Sequence, residues 1–498
     1  MLTNLRNIVE AEYARTGKRR TITLTDGTLR DAHQCLWATR MRTEHMLPIA
    51  KKIEDAGFGG VEALAMVGFD VGVRFLNQDP FERVRLLRER IPTTPLRGAV
   101  RSNLLHGFYP QPDDLNELFI ERMFVNGIGD FGFLDSLHSW DNVAPAIRVA
   151  QRLGAKVTIA LVFNLAPGYD DDFYVRQARE IVDRFAPDTI LFGDAGGSLT
   201  VERTRTLVPA LRAAIGDTRL ELGTHCLTAT GPQVALEAAV YGADQILTAI
   251  DPLANGNSLP SAQMMARDLR ALGFDVAVDD RLLDEVGDYL GKLADQLGYP
   301  VGVPAEYDPA NYHTQYAGGA LTNLEAQLQA AGIADKLPAV LEEIGRVRVE
   351  LGSPVMATPF PAIVAAQAVM NVLNTERYAV VPDEVKKYVC GYFGALPLPI
   401  DDNVRDLVMN NGSRDISETP PVLDPILPRL RSRHGHLPPE QMMLRYMYDD
   451  QKIDALVPVE DTFSVEQSIV ELVAGLGRMP GRHNVRLVAP GVELHAHG

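Results

Sequence analysis

The sequence predicts an α/β protein, a (β/α)8 TIM barrel followed by a helical C-terminal extension, and three observations carry that expectation. First, the chain has 498 residues, room for one barrel of about 250 residues with more than ~100 left for a second unit. Second, from about residue 20 to residue 272 short β-rich runs alternate with amphipathic helical stretches, as repeated βα units require. Third, eight such runs can be counted, at residues 21–24, 60–63, 96–100, 130–134, 156–162, 189–192, 220–223 and 245–248, with helical periodicity at 43–56, 81–90 and 201–215 between them. An open doubly wound sheet is the competing arrangement. It more often carries a Gly-rich phosphate loop after the first strand, where this chain reads Asp26-Gly27-Thr28-Leu29-Arg30.

Beyond residue 272 the alternation stops and helical periodicity takes over, at 320–331, 338–351 and 362–373. A proline-rich stretch, 397–439, reads as a winding connection, followed by one more helix and a strand-like segment at 484–495. The implied division is an N-terminal segment (1–19), the barrel (20–290), a helical extension reaching the barrel mouth (291–450) and a tail of unknown role (451–498).

Composition narrows the function. A hydrophobic fraction of 46% with 23% charged residues is that of a globular chain with a substantial core. A formal net charge of −17 argues against a nucleic-acid or anionic-membrane surface, which needs clustered Lys and Arg, and points to a small molecule or a protein partner. Cys35, Cys226 and Cys390 are far apart with no CxxC spacing, so neither a disulfide framework nor a structural zinc site is indicated. The first 20 residues lack an apolar run of signal-peptide length and no stretch reaches ~18 uncharged apolar residues. A cytoplasmic protein without a membrane span is the expectation.

In a barrel of this kind the site lies at the carboxyl ends of the strands. After the first strand comes Arg30-Asp31-Ala32-His33-Gln34, a cation, an anion and an amide in five residues, suited to holding a metal and a carboxylate or enolate; a structural ion pair at the barrel mouth explains it equally well. The seventh strand ends Gly223-Thr224-His225-Cys226, placing His225 where a neutral imidazole could ligate an ion opposite Asp31. Cys226, adjacent on an extended strand, would face the other way and reads as structural. Arg97, among apolar and glycine neighbours, adds a forked donor for a carboxylate, with a buried structural pair as its alternative. Thr358, just before a helix, reads by itself as a helix-entry residue, and His495-Ala-His497 as a solvated pair near the chain end.

Residues 25–43 (TDGTLRDAHQCLWATRMRT), 74–80 (RFLNQDP), 96–99 (LRGA), 318–323 (GGALTN), 357–359 (ATP), 367–373 (QAVMNVL) and 376–378 (ERY) together resemble the conserved carboxyltransferase family, and the similarity runs over roughly residues 20–450. That family includes the carboxyltransferase domain of pyruvate carboxylase, the alpha subunit of oxaloacetate decarboxylase and the central subunit of methylmalonyl-CoA transcarboxylase. The resemblance implies a barrel with a helical annex, a homo-oligomer, and transfer of a carboxyl group between a biotin carrier and a small 2-oxo acid or acyl substrate. It also implies roles: Arg30, Gln34 and Arg97 for the substrate, Asp31 and His225 for a divalent metal (Mn, Zn or Co), and Thr358 for a proton relay, with Arg30 and Arg97 stabilising charge.

The departures are equally specific. Gly193 stands where the family has a ligand Lys and Gly223 where it has the first of two ligand His; Gly132 replaces an Arg, Ala65-Met66-Val67-Gly68 a Gly-Gly-Ala-Thr turn, and Cys226 an Asp. A two-ligand site binds an ion far more weakly than a four-ligand one, so the metal is expected to be weak or absent. Loss of side-chain volume at Gly193 and Gly223 leaves room for a bulkier substrate group or for water. No biotin-accepting Met-Lys-Met motif occurs, so the biotin is expected on a separate carrier protein, with a biotin carboxylase as a further partner. Two other functions remain open: a catalytically silent scaffold subunit of a carboxylase complex, and a biotin-independent C–C lyase of the wider RDxxQ barrel superfamily.

Overall fold

The computed structural model describes residues 2–107, 109–316, 319–460, 484–489 and 492–497. Eight parallel strands close into a barrel in sequence order: β1 (Thr23–Asp26), β2 (Gly60–Ala65), β3 (Leu96–Arg101), β4 (Asp130–Leu134), β5 (Lys156–Val162), β6 (Thr189–Asp194), β7 (Arg219–Thr224) and β8 (Gln245–Thr248). Closure is made by β1 pairing with β8, Thr25 opposite Leu247 and Asp26 opposite Thr248. Helices lie between strands, and the strands, covered on the outside and filled on the inside, are buried on both faces. The barrel predicted from the sequence is therefore the barrel found.

Strand ends differ from expectation in one systematic way: β1, β2, β3, β6 and β7 run further toward their carboxyl ends than their apolar runs. The added residues include polar ones, and their ladder positions are favourable because barrel neighbours satisfy them. Thr25 Oγ1 donates to Glu221 at 2.6 Å, and Asp194 accepts from Ser198 N, Leu199 N and Thr224 Oγ1 at 2.8 to 3.0 Å. A buried polar group is tolerable only when so paired.

Barrels of this kind usually fill their interior with branched aliphatic layers. Here one interior layer is ionic. Register places Glu62 beside Arg97, Arg97 beside Asp130, and Glu221 beside Gln245. Arg97 Nε donates to Asp130 at 2.8 Å and its Nη1 lies 2.9 Å from Glu221, while Thr158 donates to Asp130 at 2.9 Å.

The extension forms a second apolar core from the helices Gly319–Ala330, Leu337–Glu350 and Phe360–Leu373. Leu104 and Leu137, from the loops after β3 and β4, pack into that core, so the annex is seated on the carboxyl-terminal mouth of the barrel. The stretch 397–439 is not simply a winding connection. It holds two helices, Asp402–Asn411 and Leu427–His434, because Asp401 caps the first through the N–H groups of Asn403 and Val404 and Pro428 sits in the first turn of the second, where a missing N–H costs nothing. Ile426, Leu430 and Met442–Met447 then return to the barrel core, joined there by Leu5 and Val9 of the N-terminal helix Leu2–Thr16. The expected final strand is a pair, β9 (Asn484–Ala489) antiparallel to β10 (Val492–His497). The side chains of His495 and His497 lie outside the described residues. No helix among the described residues is long and apolar enough to cross a membrane.

Candidate active site at the carboxyl ends of the strands

The first βα turn is built around Gly27. Its carbonyl accepts from the N–H groups of Arg30, Asp31 and Ala32, winding residues Thr28–Ala32 into a wide π turn that continues as the short helix His33–Leu36. A Cβ at Gly27 would stand 2.7 Å from Leu259 Cδ1 and 3.2 Å from the Thr248 carbonyl, so a larger residue there would have to displace Leu259. The turn projects Arg30, Asp31, Gln34 and Cys35 into a cavity of about 220 Å³ that is also lined by Arg97, His225 and Thr358. All six residues singled out from the sequence thus meet in one cavity, although Thr358 comes from the annex, more than 100 residues beyond the last barrel strand.

A second cavity, of about 490 Å³, lies outward of the first, and Gln34, Arg101, Gly319 and Thr358 line both. Thr358 is fixed through its carbonyl, which accepts from Ser136 Oγ at 3.1 Å. The annex is held against the turn by Gly319, where a Cβ would come within 2.9 Å of the Gln34 carbonyl, and by Thr322 Oγ1, 3.4 Å from the Cys35 carbonyl.

The two arginines are both engaged by carboxylates of the chain itself. Arg97, with a side chain only 4% exposed, is claimed by Asp130 and Glu221. Burial opposes its charge, but those two carboxylates outweigh it and raise its pKa beyond the ordinary guanidinium range. Two of its nitrogens, Nε and Nη1, are thus held by internal carboxylates, which fixes the guanidinium at the cavity it lines. Arg30 is likewise held through two of its nitrogens. Its Nη1 donates to Asp31 Oδ1 at 2.5 Å and its Nη2 pairs with Glu62, yet Nε has no hydrogen-bond partner among the described residues and the side chain is 15% exposed to the cavity.

Asp31 and His225 face each other, Nε2 to Oδ2 2.8 Å. Burial works against the charge of each, but for Asp31 the Arg30 guanidinium and His225 outweigh it and hold the carboxyl below the usual range. For His225 the Asp31 carboxylate likewise wins and raises the imidazole well above its ordinary value. Between them sits a residue whose role the sequence did not suggest: Cys35 Sγ lies 3.6 Å from His225 Nε2 and 3.9 Å from Asp31 Oδ2. The residues present thus offer carboxylate, thiol and imidazole donors to one point, a set that suits zinc or cobalt(II). Cys226 is buried with its backbone N–H on Ser258, and it does not line the cavity.

The two glycine replacements are not equivalent. Gly193 faces open space, with nothing within 4 Å of a Cβ placed there, whereas at Gly223 a Cβ would meet Leu247 at 3.2 Å and Leu191 at 3.3 Å. The space beside Gly223 is occupied by leucine side chains. Much of the remaining lining is hydrocarbon, from Met66, Val67, Leu134, Val162, Leu191 and Leu247.

Signals for the missed residues existed in part. Cys35 is four residues from Asp31, the spacing that puts two side chains on one helical face. Glu62, Asp130 and Glu221 each lie in an otherwise apolar strand, a pattern that marks a paired interior charge.

A model of the conserved carboxylase domain matches residues 312–487. A pyruvate carboxylase subunit of Methanocaldococcus jannaschii is 37% identical over 407 residues, 81% of this chain and 71% of that protein. The methylmalonyl-CoA carboxyltransferase 5S subunit of Propionibacterium freudenreichii subsp. shermanii is 30% identical over 409 residues, 82% and 80% of the two chains. The carboxyl transferase domain from Rhizobium etli pyruvate carboxylase superimposes with a TM-score of 0.79 over 91% of this chain and 80% of that one, at 23% identity, a likeness of fold. Barrel, annex, the RDAHQ turn and relatives of this similarity agree, and the chain belongs to the carboxyltransferase family of biotin-dependent carboxylases.

Proposed function

We propose that this chain moves a carboxyl group between biotin on a separate carrier protein and a small 2-oxo acid or acyl compound bearing a hydrocarbon group. The observation that carries the reading is the pair of adjoining cavities with Thr358, Gln34 and Arg101 on the wall they share. The inner cavity combines the charged groups of Arg30, Asp31 and His225 with apolar side chains and open space at Gly193, dimensions and chemistry that suit a small acid with an alkyl branch. The outer cavity is wide enough for a ring brought in by a carrier.

Biotin supplies or accepts the carboxyl group. In the direction of substrate carboxylation, Arg30 stabilises negative charge as the carbon next to the substrate's oxo or acyl carbonyl loses its proton, using a guanidinium that the buried carboxylates already hold in place. Thr358 would accept that proton at its hydroxyl oxygen and give up its own hydroxyl proton toward the outer cavity, to the biotin nitrogen whose bond to the carboxyl group breaks as that group joins the substrate carbon. Gln34 orients the substrate, and Arg97, bound to Asp130 and Glu221, keeps the floor rigid. The relatives named as carboxylase subunits support a carrier and a biotin carboxylase as partners, and a homo-oligomer remains the proposed assembly.

The test is transfer of an isotopically labelled carboxyl group from a biotin-bearing carrier to a series of 2-oxo acids of increasing chain length. Thr358→Ala should lower the rate by about 10²- to 10⁴-fold while leaving the melting temperature unchanged. Transfer at the wild-type rate in Thr358→Ala would eliminate the relay, and absence of transfer by the wild type with every acid would favour a silent scaffold subunit. Cleavage of a C–C bond without any carrier would favour the lyase.

A further inference from the structure

We infer that Asp31, Cys35 and His225 form a binding site for zinc or cobalt(II), with the Cys35 thiolate standing in for ligands that Gly193 and Gly223 cannot provide. The site does not depend on carboxyl transfer, since ion binding is measured without carrier or substrate.

Geometry is the first argument. Metal–sulfur and metal–nitrogen bonds of about 2.3 and 2.0–2.1 Å put two ligand atoms of a tetrahedral ion about 3.5 Å apart. Cys35 Sγ and His225 Nε2 are 3.6 Å apart, Cys35 Sγ and Asp31 Oδ2 3.9 Å, and Asp31 Oδ2 and His225 Nε2 2.8 Å. The last distance is that of a direct hydrogen bond, so an ion replacing the shared proton needs a shift of a few tenths of an ångström in side chains alone. All three donor atoms are buried or nearly so, and they lie within 4.8 Å of one another.

Preorganisation is the second. Asp31 and Cys35 are brought together by the π turn and the short helix after it, and the annex pins that helix through Gly319 and Thr322. Asp31 Oδ1 is held by Arg30, leaving Oδ2 to face Cys35 and His225, the outer-shell support that ligating carboxylates ordinarily receive. Charge is the third. The network around Arg30 and Arg97 contains four carboxylates, Asp31, Glu62, Asp130 and Glu221, against two guanidiniums and the proton that His225 shares with Asp31, so an ion taking that proton's place meets a formal surplus of negative charge. The fourth is an open side: beyond the three ligands lies the cavity, with space at Gly193 for water or a substrate oxygen to complete the coordination. A thiolate in the set selects zinc or cobalt over magnesium or calcium, and an ion there would supply Lewis-acid polarisation of a substrate carbonyl.

The experiment strips the full chain with a chelator and titrates it with cobalt(II). The expected result is one ion per chain with a thiolate-to-cobalt charge-transfer band in the near ultraviolet. Cys35→Ser should remove the band and weaken binding by about 10-fold or more, while Cys390→Ser and the double substitution His495→Ala with His497→Ala should keep both. Lack of cobalt uptake, uptake without the band, or a band that survives Cys35→Ser would each overturn the inference. Should Cys35→Ser fail to fold, alkylation of the wild type read by mass spectrometry decides: Cys35 is protected by zinc if it is a ligand, and equal labelling with and without zinc refutes it.

Discussion

Replacing Arg97 by Met separates an internal anchor from a substrate donor. The side chain is 4% exposed and its two partners, Asp130 and Glu221, are 7% and 0% exposed. Removing the guanidinium strands both carboxylates, with only Thr158 left to donate to Asp130 and Thr25 to Glu221. Breaking a buried pair from one side costs about 3–5 kcal/mol, because the orphaned charge stays desolvated. At roughly 2–3 °C per kcal/mol for a domain of this size, Arg97→Met should melt about 6–15 °C below the wild type. Thermal melts, with Arg97→Lys as a charge-preserving control, measure it. A variant that melts within about 1 °C of the wild type yet loses substrate affinity would refute the reasoning and return Arg97 to the substrate.

Three other outcomes follow from the geometry. Gly193→Val fills open space, so it should melt close to the wild type while losing turnover of branched acids more than of pyruvate, read as kcat/KM across the chain-length series. Gly223→Ala pushes into Leu247 and Leu191 and should cost about 1–3 kcal/mol in chemical denaturation, a result that equal stability would contradict. His138, buried among Trp140, Tyr169 and Phe173 with Nε2 on the Val162 carbonyl, has its pKa lowered by burial from 6.5 to about 4. A depressed histidine adds stability above pH 6.5 that is lost as pH falls toward 4, so on acidification the wild type should lose on the order of 3 kcal/mol more than His138→Asn; identical pH profiles would remove this assignment.

How much of this was legible in the sequence depends on the range of the interaction. The eight strands could be read because each carries an apolar run, as in Val157, Ile159 and Leu161, bounded by turn residues. Arg30, Asp31 and Gln34 could be read because they share one turn. The meeting of Thr358 with that turn was supplied by family resemblance, since no local pattern encodes a contact between the annex and the barrel mouth. Cys35 carries no signal in the spacing of the cysteines from one another, because its partners are an aspartate four residues back and a histidine 190 residues on. The engagement of Arg97 was invisible for a similar reason: the register that sets it beside Asp130 is a property of neighbouring strands.

The contrast between Gly193 and Gly223 bears on whether the site has decayed or been rebuilt. Loss of a large side chain without compensation leaves a void, and a void lined by apolar groups costs stability in proportion to its size. At Gly223 that cost is absent because Leu191 and Leu247 close on the gap. At Gly193, one strand away and paired with it across the ladder, the space stays open and joins the cavity that holds Arg30, Cys35 and His225. Packing has thus been restored on one side of the pocket while a hollow is kept on the side that faces the polar groups. A barrel relieved of its chemistry would gain by closing both, so the open position beside an intact set of charged and thiol side chains argues for a pocket shaped to a different occupant.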